Sequence, residues 1–185
     1  MDDRELLEKK LDSKEYFNGR VVSLRVDDVL LPDGTTSFRE VVHNQHGGAA
    51  VLPLLENGDV LLVRQCRYPY EAVLTEIPAG KLDQGETPLD CAKRELKEET
   101  GGVAENYRFL GEIYPTPAYL DEVLRIFAAT GITLRERHLD PGEFAETIRM
   151  PLAELVDRVL KGEIRDAKTH IAALKVWILQ EKGEI

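Results

Sequence analysis

Residues 80–102 read GKLDQGETPLDCAKRELKEETGG, and this stretch governs the interpretation of the whole chain. Thr87 is suited to be a helix N-cap and Pro88 to the first helical position, which predicts a helix over about residues 88–100. Residues three and four apart share one face of a helix, so the spacing predicts three neighbouring carboxylates. They belong to Glu95, Glu98 and Glu99.

The carboxylate face of this predicted helix needs a partner of opposite charge. Like charges at i, i+4 destabilise a helix by a few tenths of a kcal/mol even where they are exposed. Mg²⁺ removes that cost, because it takes oxygen ligands and keeps coordination positions for substrate phosphates. The alternative is a solvated acidic face, but seven positions match one pattern, and accident would give this with a probability of the order of 10⁻⁵. These positions are Gly80, Glu86, Arg94, Glu95, Glu98, Glu99 and Gly101.

The pattern resembles the Nudix box, the signature of the Nudix hydrolases. This resemblance implies an α/β fold, an α/β/α sandwich with a mixed sheet, and hydrolysis of a nucleoside diphosphate linked to another moiety. It implies Mg²⁺ as the cofactor, with Mn²⁺ as a possible substitute. By the same resemblance Glu95 and Glu99 are metal ligands, Glu98 is a further ligand or a contact to a metal-bound water, and Ala79 contributes its backbone carbonyl.

The remaining residues of the box are implied to be structural. Glu86 and Arg94 resemble the ion pair that fixes the loop to the helix, and Gly80 and Gly101 resemble the glycines that bracket it. Gly102 stands where the family usually has an aliphatic residue, and we expect the adjoining valine to take over that packing role.

Composition and charge place limits on the class of protein. The chain has 185 residues, 43% of them hydrophobic and 31% charged, which is typical of one globular core. A net charge of −10 argues against a nucleic-acid binder, because such proteins usually carry a basic patch. Cys66 and Cys91 are expected to be buried small hydrophobes in a reducing cytoplasm. The charged N-terminus predicts no signal peptide, and no apolar run reaches the ~18 residues that span a membrane.

Periodicity and turn signals predict a sheet protein with three helices. We expect an antiparallel hairpin layer within residues 14–44, and a second hairpin in which Asn57-Gly58 joins strands at 49–55 and 59–67. Further strands are expected at 21–30, 37–43, 72–80, 107–115, 122–131 and 144–150, with helices at 88–100, 151–163 and 166–181. Residues 1–46 are interpreted as N-terminal strands that form a dimerisation segment, and 47–185 as the Nudix domain.

Outside the box, the resemblance narrows to the ADP-ribose pyrophosphatase branch and covers about residues 37–180. The most diagnostic segment is YPTPAYLDE, in which Pro117 stands about where this branch carries a distinguishing proline. Arg67 and Arg39 are candidates for the substrate phosphates, because a guanidinium can bind two phosphate oxygens at once, and surface ion pairs are the alternative. Tyr119 is a candidate for contact with a base or ribose, with a place in the core as the alternative.

The general base is predicted in the loop before the last strand, where this branch carries a glutamate. Asp140, Glu143 and Glu146 are the candidates, and their spacing makes Glu143 the best match. The alternative for Glu143 is a solvated loop residue. A carboxylate in this role orients and deprotonates the attacking water.

The sequence therefore predicts a Mg²⁺-dependent hydrolase that converts ADP-ribose to AMP and ribose 5-phosphate. Its partner would be a small-molecule nucleoside diphosphate sugar, with no nucleic acid and no membrane, and the chain would form a homodimer. Two alternatives stay open. The substrate could be another sugar nucleotide such as GDP-mannose, or the domain could sense nucleotide sugars without catalysis.

Overall fold

The computed structural model describes residues 2–139, 142 and 144–185, and its chain divides into two compact units. The first unit comprises residues 1–47 and 114–123. It is built on an antiparallel sheet of three strands, in the order β1 (Lys9–Asn18), β2 (Val22–Leu30) and β3 (Thr36–Asn44). The hairpin of β2 and β3 was predicted. Strand β1 was not, because all ten of its residues are exposed and no alternation of polar and apolar residues marks it.

The second unit comprises residues 48–113 and 124–185. Its strands are β4 (Gly48–Pro53), β5 (Asp59–Arg67), β6 (Ala72–Glu76), β7 (Ala79–Lys81), β8 (Gly102–Val103), β9 (Asn106–Ile113), β10 (Leu124–Thr130), β11 (Thr133–Leu134) and β12 (Ala145–Pro151). Its helices are α1 (Pro88–Thr100), α2 (Leu152–Leu160) and α3 (Ala167–Glu181).

A mixed four-stranded sheet, in the order β7-β4-β10-β9, lies at the centre of this unit. Strand β4 runs parallel to β10 and is buried along its whole length, which explains its continuous apolar sequence. Side chains on one face of β4 pack with α1, and those on the other face pack with α2 and α3. The second unit is therefore the α/β/α sandwich that the sequence predicted.

Two predictions about strands hold only in part: the pairing expected across the Asn57-Gly58 turn is limited to an antiparallel bridge between Leu54 and Val60, and the strand expected at 72–80 is interrupted. The turn at Asn57-Gly58 is present, and the N–H of Leu55 donates to the carbonyl of Asp59 at 2.8 Å, but β4 and β5 enter different sheets. Strand β5 lies instead at the centre of a second antiparallel sheet, β12-β5-β6. The predicted strand at 72–80 divides into β6 and β7 around Pro78, which has no N–H to donate to a ladder.

The prediction that both cysteines are buried holds for one of them. Cys91 is fully buried where α1 packs on the central sheet. Cys66 is exposed, because its cross-strand neighbour Val73 is itself 58% exposed and this end of β5 is left uncovered on that face.

Candidate active site

Helix α1 has the ends that its sequence encodes. The hydroxyl of Thr87 accepts a hydrogen bond from the N–H of Asp90 at 3.2 Å, and Pro88 begins the helix. Gly101 ends it in the left-handed region at φ 73°, with its N–H donating to the carbonyl of Lys97 at 2.9 Å. A Cβ at position 101 would also lie 2.2 Å from the carbonyl oxygen of Arg135, so this position requires glycine.

Two carboxylates of α1 lie in the interior against strand β7. Glu95 is 9% exposed and Glu99 is 4% exposed. The backbone N–H of Ala79 donates to Oε2 of Glu99 at 3.0 Å, which ties β7 to the helix. At Gly80 an added Cβ would stand only 1.7 Å from Oε1 of Glu95, so glycine leaves the space that this carboxylate occupies.

The guanidinium of Arg94 joins the loop to the acidic face of α1. It donates to both oxygens of Glu86, at 2.9 and 3.0 Å, so the ion pair expected between these residues is present. It also donates to Oε1 of Glu95 at 2.7 Å and to Oε2 of Glu98 at 3.1 Å. Arg94 holds the pKa of Glu86 below its usual value, and Glu86 in turn raises the pKa of Arg94. Arg94 thus offsets the repulsion among Glu86, Glu95 and Glu98.

Arg67 belongs to an ion-pair network in the interior of the same unit. It donates to both oxygens of Glu76, at 2.7 and 2.6 Å, and Glu76 is only 1% exposed. Lys168 donates to Glu76 and to Asp166. The pair with Glu76 raises the pKa of Arg67, burial opposes this, and Asp166 and then Glu99 add smaller increases. Arg67 is therefore within electrostatic range of a carboxylate of the α1 face.

The first unit contains a pocket of about 480 Å³ that brings together three predicted substrate residues, Arg39, Pro117 and Tyr119. Arg39 forms an ion pair with Glu8, and its guanidinium also donates to the carbonyl of Phe38 at 2.8 Å. Tyr119 is 55% exposed, so it is not a core residue.

The loop that carries Tyr119 is fixed to β3. The N–H of Val42 donates to the carbonyl of Tyr119 at 2.7 Å, and the N–H of Asp121 donates to the carbonyl of Val42 at 3.2 Å. Nδ1 of His43 lies 2.8 Å from a carboxylate oxygen of Asp121. His43 thus helps to hold this loop against the end of β3, which is a structural role.

Of the three candidates for the general base, Asp140 and Glu143 lie outside the described residues, so the preference for Glu143 stays a prediction. Glu146 is exposed in β12 and accepts a hydrogen bond from Arg64 at 2.8 Å. The hydroxyl of the next residue, Thr147, donates to the backbone carbonyl of Glu99 at 2.8 Å. Because neighbouring strand residues point to opposite faces, Glu146 is directed away from α1.

Comparison with family models supplies the decisive observation. The model described as NUDIX domain matches residues 44–173, which is more than half of the chain. The chain belongs to the Nudix family. A second model, described as nucleoside diphosphate sugar hydrolase N-terminal domain, matches residues 8–42, where β1, β2 and most of β3 lie.

Curated relatives match along nearly the whole chain. An ADP-ribose pyrophosphatase of Bacillus subtilis is 39% identical over 91% of this chain and 92% of its own length. A protein of Bacillus methanolicus named methanol dehydrogenase activator is 40% identical, covering 89% of this chain and 90% of its own. A GDP-mannose pyrophosphatase of Yersinia enterocolitica is 31% identical over 89% of this chain and 90% of its own length. Together with the match to the NUDIX domain, the similarity to an ADP-ribose pyrophosphatase identifies the chain as a Nudix hydrolase, an enzyme.

A solved structure titled as an ADP compounds hydrolase shares the fold. It superimposes with a TM-score of 0.84, covering 96% of this chain and 97% of its own, at 22% sequence identity. At that identity the likeness supports the fold alone, and it agrees with the α/β/α arrangement described above.

Nudix hydrolases generally require a divalent metal, and the residues on the α1 face fit one. The available donors are carboxylate oxygens, which hard cations prefer, and the missing Cβ of Gly80 leaves the space that the Glu95 carboxylate occupies. Among the described residues no group of three or more potential ligands already stands in metal-binding geometry. Arg94 contacts Glu95 and Glu98 here, so a cation at this face would share or replace those contacts.

Several residues of this Nudix site were not identified from the sequence. Glu76 interrupts an apolar run just before the box, and this was the available signal for a buried carboxylate. Lys168 and Thr147 were not identified because their contacts with Glu76 and with the carbonyl of Glu99 join residues that are remote in sequence. In the described part of the chain, none of the helices has the length and apolar content needed to cross a bilayer.

Proposed function

We propose that this Nudix hydrolase is a Mg²⁺-dependent ADP-ribose diphosphatase that releases AMP and ribose 5-phosphate. The observation that carries the proposal is 39% identity to an ADP-ribose pyrophosphatase over 91% of the chain. The geometry supports it, because two carboxylates of the box are buried beside a glycine that makes room for one of them.

In the proposed reaction the α1 face has the role of holding the cation. Glu95, Glu98 and Glu99 are the ligand side chains, and Ala79 adds its backbone carbonyl. A divalent cation bound there supplies positive charge that stabilises the negative charge building on the diphosphate in the transition state. Mg²⁺ is favoured because the donors are all oxygen, and Mn²⁺ accepts the same ligands.

Four residues are proposed to recognise the substrate. Arg67 is assigned to the diphosphate, since its side chain is 38% exposed although two of its nitrogens donate to Glu76. Arg39 is also assigned to the phosphates and Tyr119 to the base or ribose. Both line one pocket of about 480 Å³ together with Pro117, and the ring of Tyr119 is exposed there. Glu143 is assigned as the base that orients and deprotonates the attacking water.

The N-terminal strands are proposed to form a homodimer through residues 1–46. Strand β1 is an edge strand, and an edge presents unpaired backbone groups that another chain can pair with. Leu11, Tyr16 and Phe17 on this strand are each more than half exposed. Size-exclusion chromatography with light scattering should give twice the mass of the 20.9 kDa chain. A monomer at assay concentration would reject the dimer.

A substrate panel tests the proposed activity. Initial rates of hydrolysis are measured with Mg²⁺ for ADP-ribose, GDP-mannose, UDP-glucose, NADH, diadenosine polyphosphates and 8-oxo-dGTP. ADP-ribose should give the highest kcat/KM, with AMP and ribose 5-phosphate as products. A different best substrate would retain the diphosphate chemistry and reject the assignment of the Pro117 loop. No turnover of any compound would favour a sensing domain.

Two further candidates follow from the relatives. GDP-mannose is the alternative substrate, because a GDP-mannose pyrophosphatase is 31% identical over 89% of the chain. Stimulation of a dehydrogenase is a candidate of another class, because a protein named methanol dehydrogenase activator is 40% identical. The first is decided by the panel. The second is decided by adding the chain to a purified methanol dehydrogenase and measuring its rate.

A further inference from the structure

Four charged side chains form a row of alternating sign in the second unit. The row consists of Arg67, Glu76, Lys168 and Asp166. Its members come from β5, from β6 and from the beginning of α3, and it joins elements that are 92 residues apart in sequence. Glu76 is 1% exposed and Lys168 is 8% exposed, so both charges are buried and each needs its partners.

The contacts within this row are divided unequally between the two oxygens of Glu76. Oε1 accepts from Nε of Arg67 at 2.7 Å, whereas Oε2 accepts from both Nη2 of Arg67 at 2.6 Å and Nζ of Lys168 at 2.5 Å. Lys168 is therefore a second cation on the carboxylate that holds Arg67. Asp166 balances the charge of Lys168, so the four groups together carry no net charge, and the effect of Lys168 is to fix the carboxylate that orients Arg67.

The beginning of α3 fixes the position of Lys168. Asp166 caps the helix by accepting from the N–H of Thr169 at 2.9 Å, and the ammonium group of Lys168 donates to it at 2.8 Å. The hydroxyl of Thr169 in turn accepts from the N–H of Ile77 at 2.9 Å, which ties α3 to the residue after Glu76. The lysine is thus held by both a helix end and a strand end, with little freedom to move.

We propose that Lys168 is a positioning residue for substrate recognition: it shares and fixes the carboxylate of Glu76, so that Arg67 is held in one orientation for the diphosphate. This inference rests on the proposed role of Arg67 at the diphosphate. It adds a residue of the C-terminal helix to a site otherwise made from the box and its neighbouring strands.

The test compares the variant Lys168→Met with Lys175→Met. Lys175 lies on the same helix and donates to the carbonyl of Leu110, so its loss also removes a lysine contact from α3. In Lys168→Met the KM for ADP-ribose should rise about tenfold while kcat changes less than about threefold, as for lost ground-state binding. Lys168→Arg should restore most of the affinity, and Lys175→Met should keep the KM of the wild type.

A double-mutant cycle asks whether Lys168 acts through Arg67. In an Arg67→Ala background, Lys168→Met should raise KM no further. If the two substitutions raise KM independently, so that their effects multiply in the double variant, the proposal is overturned. An unchanged KM in folded Lys168→Met would also overturn it. If Lys168→Met does not fold, Glu76→Gln keeps the volume of the carboxylate, removes its charge and is expected to raise KM in the same way.

A measurement without substrate separates this proposal from the proposed function. The Nε–H signal of Arg67 in nitrogen-15 spectra is identified by its loss in Arg67→Lys. Its exchange with water should be slow in the wild type, faster in Lys168→Met and unchanged in Lys175→Met. Equal exchange in wild type and Lys168→Met would reject the positioning role, whereas failure to hydrolyse ADP-ribose would reject only the proposed activity.

Discussion

Replacing Gly80 by alanine puts a methyl group where the Glu95 carboxylate lies. The new Cβ would stand 1.7 Å from Oε1 and 2.2 Å from Cδ of Glu95. An ordinary contact begins near 3.4 Å, so the carboxylate must move by about 1.7 Å, the difference between those two distances. Gly80 is not among the glycines with positive φ, so alanine is compatible with its backbone. The substitution therefore displaces a metal-ligand candidate and leaves the main chain unstrained.

The expected result is a loss of activity without a matching loss of stability. A misplacement of about 1 Å can lower turnover roughly 100-fold, so Gly80→Ala should reduce kcat for ADP-ribose by at least that factor. Because the clash is with the end of a flexible side chain, the cost in unfolding free energy should be about 1 kcal/mol, or roughly 2–4 °C in Tm for a chain of this size. Steady-state kinetics with Mg²⁺ and calorimetry measure the two effects.

The matched control is Gly102→Ala at the end of the same helix. Its Cβ would meet Cδ1 of Leu96 at 2.9 Å and Oγ1 of Thr100 at 3.0 Å, both of them away from the carboxylate face. This variant should lower Tm and keep kcat within a few-fold of the wild type. A folded Gly80→Ala enzyme with wild-type kcat would refute the inference that Glu95 must occupy the space beside residue 80.

Three further predictions concern stability, thiol reactivity and the general base. The lowered pKa of Glu86 stabilises the fold above its usual value of 4.5, so the Tm advantage of wild type over Glu86→Gln should disappear as pH falls through the lowered folded-state pKa. Burial raises the pKa of Cys91 to about 12, so iodoacetamide at pH 8 should alkylate exposed Cys66 and spare Cys91 in mass spectra of folded protein. Glu146→Gln should keep near-normal kcat, while Glu143→Gln should lose about 100-fold, and the reverse order would exchange their roles.

Local sequence was sufficient to predict helix α1 and insufficient to predict strand β1. The bounds of α1 agree with the prediction because Thr87, Pro88 and Gly101 specify its ends through contacts within a few residues. The residues of β1 are all exposed, so this strand is defined by its pairing with β2 rather than by a pattern of its own. The Asn57-Gly58 turn was recognised, but the assignment of its flanking strands to separate sheets depends on partners far along the chain.

The residues of the candidate site differ in the same respect: those placed by local sequence could be predicted, and those placed by tertiary packing could not. One helix encodes the three glutamates of the box, so their common face could be predicted from spacing alone. The contact between Glu76 and Lys168 joins residues 92 positions apart, and only the packing of α3 beside the strand end of β6 creates it. Arg39, Pro117 and Tyr119 were each proposed on the basis of the family resemblance, without evidence that they lie together. The fold of the first unit brings them into one pocket.

The rate of AMP formation from ADP-ribose, in wild type and in Glu99→Gln, tests most directly whether the α1 carboxylates hold a catalytic cation. With Mg²⁺ the wild type should form AMP, lose that activity in EDTA and regain it when Mg²⁺ is restored in excess. Glu99→Gln should keep the wild-type Tm within a few degrees and lose at least about 100-fold in kcat. The same substitution at an exposed residue of α2, Glu154→Gln, should leave kcat unchanged. Wild-type turnover in folded Glu99→Gln, or full activity in EDTA, would contradict the account.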